Sequence, residues 1–537
     1  MLKKNFSIYL LIAIFVVFLF VRFLNLTSFP IFSDESIYLQ YSQLIHEDFA
    51  KYKYISMDNV FNDWKAPLQY WIGSVFMPIS EDPVAAGRTA SVIFSIIGLI
   101  GVYYGVKRLY DEKTAIIAAF TFALLPASLY VGIRYMADIF VLSSAALLLF
   151  GFVKILTAPA EKIPWGDIGG ALLAGIMLLL SKQSGVLYFY VFIFLPFFFF
   201  FEMRKEWKKK QGEEEISKKE RNIRIEKKKA WQRNIGIFVG VWVFSFLLYK
   251  IILPARIFAR DIYTGQWTFS IKELFGFPLD IWKENFNIVY GVFAHYYGLP
   301  AVIALVGFFI FMIWKKNWRD IAIGFLFILS SCGVIFGLKW FNEHIYISLT
   351  VIFTVYMIAR FAFLSFFSDK KWIKGCGIII IATMVLWSGY QIVMMKSAPM
   401  KYLEQGTGQM KQDLFNWTNG WNIREAVNML KTAPSPSVLF FDPQWGNPGT
   451  ALVVYRNQFP QVQIFPISSD LFKPEVQAEI TKLGFKNKIA IYSKTGNAQD
   501  SRNTWQIPLE QTICRPENRK EITSYENQTP LIFCEWQ

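Results

Sequence analysis

The sequence predicts a polytopic α-helical membrane protein of about eleven spans, followed by a small C-terminal α/β domain. Three observations predict it. Of 537 residues, 54% are hydrophobic and 18% charged, against roughly 45–50% and about 25% in water-soluble domains. Stretches of roughly 18–20 nearly uncharged residues recur to about residue 395, each long enough for a hydrocarbon layer of about 30 Å. After residue 396 the charges balance and short apolar runs replace the long ones. A soluble enzyme, a disordered chain and a fibrous protein are excluded.

The first apolar run, Phe6–Val21, lies between Lys3–Lys4 and Arg22. No small-residue cleavage site follows it, so it reads as an uncleaved first span rather than a signal peptide. Further spans are expected near 84–106, 114–131, 139–157, 166–181, 185–201, 234–253, 297–314, 320–338, 345–366 and 375–395. The strip 166–201 is divided between two short helices.

Charge sets the sidedness. Residues 203–233 hold thirteen Lys/Arg against six acids, and Lys107–Arg108, Lys315–Lys316 and Lys370–Lys371 mark other short connectors. With the N-terminus in the cytoplasm, all of these fall inside, as the positive-inside rule requires. The net charge of +15 is thereby explained as a topological anchor, with anionic-lipid contact the lesser reading; no nucleic-acid partner is implied. The expected location is the cell membrane, multi-pass. Three regions are then exported: a first loop, 28–83, with eight acids against three lysines; a second, 254–296; and everything after 396.

In that last region NIREAVNML reads as a helix, and SVLFF, ALVVY, VQIF and KIAIY as strands, giving a small α/β domain over 396–537 beside a membrane domain over 1–395. Cys514 and Cys534 can pair if that domain is outside the cytoplasm, whereas Cys332 and Cys376 lie in apolar runs and read as buried thiols. No CxxC or His/Cys cluster suggests zinc. No internal repeat is evident, which speaks against an inverted-repeat transporter.

Ionisable residues at the edge of a membrane are costly and are functional candidates by default. Asp34–Glu35 follows the first span in FPIFSDESIYLQYSQLI, where Ser33 is a candidate helix cap with Ser36 at the capping-box position. The pair is equally readable as helix N-terminal charge favoured by the macrodipole. Lys65 lies in NDWKAPLQYW, Arg88 in EDPVAAGRTAS, Arg134 and Asp138 in GIRYMADIF, and Lys182 in LLLSKQSGVLYF. Arg256 and Arg260 lie in LPARIFARDIY, and Glu343, His344 and Tyr346 in NEHIY. Each cation alone is explained by snorkelling. Their shared side with Asp34 is what phosphate recognition requires, because Lys and Arg stabilise anionic oxygens.

SDESIYLQYSQLI, WKAPLQYW and AAGRTAS, in that order and spacing, resemble the bacterial protein-mannosyltransferase-like and aminoarabinose-transferase-like glycosyltransferases of the GT-C fold. The resemblance covers residue 1 to about 365 and is strongest over 25–140. It implies that Asp34, with Glu35 beside it, is the acidic residue next to the reacting sugar. It implies that Lys65 matches the lysine of the family's KPPLxYW motif facing the lipid phosphate, and Arg88 its AARL arginine. GIRYMAD and SKQSG resemble further family segments, and HIY an outer His-x-Tyr, so Arg134, Asp138, Lys182, His344 and Tyr346 are expected substrate contacts. Ala66 departs from the family pattern, standing where KPPL has its first proline. FDPQWGNPG is not the WWDYG-like motif of oligosaccharyltransferases, which share the membrane fold.

The reaction so implied moves a sugar from a polyprenyl-phosphate donor to a lipid, glycan or protein acceptor at the outer face of the membrane. Asp34 is expected to be the base of an inverting attack, with Lys65, Arg88, Arg256 or Arg260 at the donor phosphate. No cofactor is required, although Asp34, Glu35 and Asp138 together are conceivable ligands for a divalent cation. A flippase or transporter of lipid-linked sugars is the alternative; it predicts charges through the pore rather than on one side. A sugar-sensing module in which Asp34 is only a cap is the third.

Overall fold

A computed structural model describes residues 2–57, 65–159, 163–182, 184–211, 218–253, 268–339, 343–406, 420–441, 448–467, 473–485, 487–493, 509, 514–523 and 530–536. The principal helices are α1 (Leu2–Phe23), α2 (Ser33–Glu47), α3 (Leu68–Phe76), α4 (Pro83–Leu109), α5 (Glu112–Leu124), α6 (Pro126–Gly132), α7 (Ala137–Leu156), α8 (Trp165–Ser181) and α9 (Gly185–Phe192). They continue with α10 (Leu195–Gln211), α11 (Lys218–Ile252), α12 (Leu279–Val292), α13 (Gly298–Lys315), α14 (Trp318–Gly337), α15 (Glu343–Phe366) and α16 (Lys371–Ser397).

Among the described residues nine helical segments are long and apolar enough to cross a membrane, or ten if the bent pair α5–α6 counts as one span. The expected eleventh, α8, is a shorter apolar helix of 17 residues. α7 and α15 are central and buried nearly all round, whereas α1, α11 and α16 turn most of their apolar surface outward, as lipid-facing helices do. α4 and α7 approach closely enough that a Cβ on Gly101 would lie 2.6 Å from the carbonyl carbon of Ala146.

The chain bends by 58° between α5 and α6 because Pro126 has no N–H for the carbonyl four residues back. Within a membrane such freed carbonyls need other donors. Ser128 Oγ donates to the Phe122 carbonyl, and Arg22 Nη1, fully buried, donates to the Ala123 carbonyl at 3.1 Å.

Beyond the helices, α17 (Gly420–Lys431), α18 (Gly449–Val454) and α19 (Pro474–Lys482) flank a five-stranded sheet. Its strands are β1 (Ser437–Phe441), β2 (Val462–Pro466), β3 (Asn487–Ser493), β4 (Arg519–Ile522) and β5 (Leu531–Trp536), in the order β2-β1-β3-β5-β4. β1 pairs in parallel with β2 and β3, in register Leu439 with Ile464 and Ile489; β5 runs antiparallel to β3 and β4. Cys514 and Cys534 form a disulfide. The expected strand ALVVY is instead α18. A short apolar run has no diagnostic period, and here packing against α2 overrides the strand preference of its two valines. β4 and β5 are strands that the sequence pattern does not mark, since neither carries a clear alternation.

Candidate active site

The site begins where α1 ends. α2 starts at Ser33, but its N-cap is Phe32 rather than the expected Ser33. The reason is the third helical residue: Glu35 Oε2 accepts the Phe32 N–H at 3.2 Å, closing the first turn from its own side chain. Ser36 Oγ is turned to the Ser33 carbonyl at 2.6 Å.

Glu35 is held from three sides. Arg88 of α4 donates from Nε to Oε1 at 2.8 Å and from Nη2 to Oε2 at 2.7 Å, and the Tyr135 N–H donates to Oε1 at 2.9 Å. Arg88 spends its other N–H groups on the carbonyls of Leu26, Phe29 and Pro30, at 3.1, 3.0 and 3.0 Å. A guanidinium has five donors, and all five are engaged with neither side chain exposed. Two expected roles are corrected by this. Arg88 has no donor left for a lipid phosphate, and Glu35 presents no face to an acceptor. Burial pushes the Glu35 carboxyl up, but the Arg88 charge and hydrogen bonds and the Tyr135 amide outweigh it, and the net direction is down.

Asp34, one residue earlier, points the other way. Its Oδ2 lies 3.7 Å from Lys65 Nζ, and 42% of its side chain and 29% of that of Lys65 are open to solvent. Tyr38, one turn along α2, donates from its hydroxyl to the same oxygen at 3.1 Å, and its ring lies 4.7 Å from Lys65 Nζ. Lys65 is carried just ahead of α3, with its carbonyl bound by Ser56 Oγ at 2.7 Å. The crowded recess raises the Asp34 carboxyl's proton affinity; Lys65, the Tyr38 hydrogen bond, Lys182 and His344 lower it further than that, so the net direction is below the usual aspartate value. The carboxylate is therefore ionised at neutral pH.

The electrostatic reach of Lys182 and His344 to Asp34 ties two more elements to the recess. Lys182, following α8, donates to both oxygens of Asp138 at 3.0 and 3.1 Å; Asp138 stands buried in the first turn of α7. His344, in the first turn of α15, stacks on Tyr130 at 5.1 Å and lies 6.2 Å from Phe32. Tyr130 also faces the Arg134 guanidinium at 4.6 Å, with Phe29 at 5.2 Å and Phe32 at 5.9 Å completing an aromatic box. Arg134, His344 and Tyr346 are all buried. Arg134 is enclosed by those rings and Tyr346 is turned to Ser331 at 3.0 Å, so these two stand in a layer behind the recess, while His344 borders it.

Thus Asp34, Lys65, Asp138, Lys182 and His344 converge, and Glu35, Arg88 and Arg134 form the buried layer beneath. Arg256 and Arg260 lie outside the described residues. Among the described residues no group of three or more His, Cys, Asp or Glu side chains is placed to hold a metal ion; of the conceivable ligands, Glu35 is committed to Arg88 and Asp138 to Lys182. Sequence reasoning missed Tyr38 and Tyr130. Tyr38 had a readable signal, since it follows Asp34 by four residues and so shares its helix face.

Tyr135 sits at the centre of this layer. Its hydroxyl donates to the Gln69 carbonyl at 2.7 Å and meets Ser42 Oγ at 2.7 Å. Gly73 makes room for it: a Cβ there would fall 1.8 Å from the Tyr135 hydroxyl oxygen.

Comparison with known proteins adds to this geometry. Residues 64–212, from just before Lys65 to beyond Lys182, match the family model of dolichyl-phosphate-mannose-protein mannosyltransferases. The fold is similar to that of ArnT from Cupriavidus metallidurans bound to undecaprenyl phosphate, with TM-score 0.58 and 12% identity over 99% of this chain and 98% of that one. The same protein in the apo state gives 0.57 and 10%, with the same coverage. The archaeal oligosaccharyltransferase AglB from Archaeoglobus fulgidus is a weaker likeness, at TM-score 0.48 and 13% identity over 91% of this chain and 69% of that one. No curated protein sequence matches. The chain therefore has the GT-C fold with a small C-terminal sheet domain, and its residues 64–212 match a glycosyltransferase family model.

Proposed function

We propose that this protein transfers a sugar from a polyprenyl-phosphate carrier to a lipid, glycan or protein acceptor of the cell envelope, at the outer face of the membrane. The observation that carries the reading is the contrast between Asp34 and Glu35. Glu35 is sealed against Arg88, whereas Asp34 is the ionised, solvent-open carboxylate of the recess, 3.7 Å from the partly exposed Lys65. The sidedness follows from the basic connectors, with the N-terminus inside, and the Cys514–Cys534 disulfide supports an oxidising compartment for the C-terminal domain.

In this reaction the acceptor hydroxyl or amine attacks the anomeric carbon opposite the phosphate. The new bond to carbon forms as the carbon–oxygen bond to the lipid phosphate breaks, inverting the centre. The acceptor proton passes to Asp34. The leaving group departs as the lipid monophosphate, gaining one negative charge relative to the bound diester. Lys65 stabilises that added charge, an interaction stronger in the transition state than in the ground state. Lys182, anchored by Asp138, supplies a second cation at the recess. Arg256 and Arg260 remain candidate partners for the phosphate on their expected place in the second outer loop alone.

The test is Asp34→Asn in the full chain, reconstituted in proteoliposomes with polyprenyl-phosphate-linked sugars. Removal of a positioned base lowers turnover by about 10²–10⁴-fold. Transfer at a rate near that of the wild type removes Asp34 from this role. Movement of the donor across the bilayer without transfer would support the flippase alternative.

A further inference from the structure

The first outer loop is fastened to the C-terminal domain at points on both sides of Asp34. Arg424 of α17 donates from Nη2 to the Thr27 carbonyl at 2.5 Å, ahead of α2. Along α2, Gln43 Nε2 donates to the Val454 carbonyl at 2.9 Å, and Glu47 pairs with Arg456. Past it, Gln458 Nε2 donates to the Glu81 carbonyl at 3.2 Å, just before α4. Three of the four bonds come from one stretch, α18 and the turn after it.

Apolar packing joins the same surfaces. Ala451, Leu452 and Val454 of α18, with Ile423, Val427 and Leu430 of α17, belong to one continuous core with Leu39, Tyr41 and Ile45 of α2. The opposite face of the sheet, including Val438, Ala490 and Ile532, forms a separate core. The domain therefore shares its inner core with the helix that carries Asp34. Tyr455, between the two hydrogen-bonding residues, lies near enough to feel Asp82, Arg88, Arg424 and Glu35; burial first, then the two carboxylates, push its hydroxyl up.

We propose that residues 449–458 are a clamp that sets the position of α2, and that Arg456 and Gln458 are positioning residues for the transfer. This rests on the reading of Asp34 as the base. The physical need is plain. α2 is 15 residues long and spans nothing, and a helix of that length is marginal on its own. Its N-terminal turn is pinned by Glu35 and Arg88, but its C-terminal half depends on neighbours. A base displaced by about 1 Å can cost on the order of 10²-fold in rate. Apolar contact supplies the holding energy; the exposed Glu47–Arg456 pair, weak in itself, sets the alignment.

The experiment uses the full chain in proteoliposomes and two readouts: amide exchange of residues 33–47, and turnover with polyprenyl-phosphate mannose as probe donor. Arg456→Glu opposes like charges at Glu47. It is expected to speed exchange in the C-terminal half of α2 and lower kcat, each by about threefold, with exchange in α4 and the donor KM unchanged. The swap Glu47→Arg with Arg456→Glu restores both. Unchanged exchange in Arg456→Glu, a fall in kcat without faster exchange, or a swap that fails to restore, each overturns the proposal. Exchange needs no substrate, so an active Asp34→Asn would remove the base assignment while leaving the clamp to stand or fall on its own measurement.

Discussion

Glu35 and Arg88 meet through two parallel hydrogen bonds, 2.8 Å from Nε and 2.7 Å from Nη2, with neither side chain touching solvent. The pair joins α2 to α4 and, through the remaining N–H groups of Arg88, collects the carbonyls between α1 and α2. Removing one member of a buried pair leaves an uncompensated charge, at a cost of about 3–5 kcal/mol.

Glu35→Gln is therefore expected to lower stability by about that amount, read as a drop in the unfolding temperature of the purified chain. Asp34→Asn should leave that temperature nearly unchanged, because the side chain is partly solvated. Equal destabilisation by both would contradict the division of labour between the two carboxylates.

The pair also predicts a pH dependence of stability. Glu35 has its folded-state proton affinity lowered, so its contribution is present above the unfolded value of about 4.3 and is lost as pH falls through the folded one. Stability of the wild type should decline on acidification below about pH 4, and the Glu35→Gln protein should show a shallower decline.

Lys65 predicts a pH dependence of activity. Its charge helps hold Asp34 below the usual aspartate value. Lys65→Gln removes that charge, so the Asp34 carboxyl rises and the acidic limb of kcat/KM moves to higher pH. Unmoved limbs in the two proteins would exclude Asp34 as the titrating group.

Gly73→Ala tests the layer beneath the recess. The added methyl meets the Tyr135 hydroxyl and Ser42 Oγ, and overpacking of this kind costs about 1–3 kcal/mol. Because the Tyr135 N–H holds Glu35, turnover should fall together with the unfolding temperature. Gly73→Ala combined with Tyr135→Phe, which removes the clashing oxygen, should recover part of both.

Disulfide reduction tests the sheet domain. Cys514 and Cys534 close a segment with a sequence separation of 20, a loop length for which the cross-link contributes about 3 kcal/mol. Reducing agent should lower the unfolding temperature of that domain first, seen as earlier amide exchange in β5.

Hydropathy made the spans legible because membrane helices must carry long apolar runs. It could not reveal that the run over 114–131 is bent at Pro126, since apolar residues flank the break on both sides. ALVVY was misread for a related cause: five apolar residues hold no period that distinguishes strand from helix, and contact with α2 decides. The candidate site was legible as a set of ionisable residues facing one membrane edge, and Asp34, Lys65, Asp138, Lys182 and His344 do converge. Their partition was not legible. Asp34 and Glu35 are adjacent and chemically alike, and the 53 residues separating Glu35 from Arg88 carry no mark of the bond between them.

By itself, then, the sequence determined the class of molecule, its spans and the short roster of charged groups available for chemistry, because these depend on composition and local order. Tertiary structure alone decided which carboxylate is sealed and which is open, that Arg88 is spent on backbone carbonyls, and that the C-terminal domain grips the helix bearing Asp34. Those outcomes depend on which side chains are desolvated and which donors they meet, and such partners are brought together only when distant segments pack.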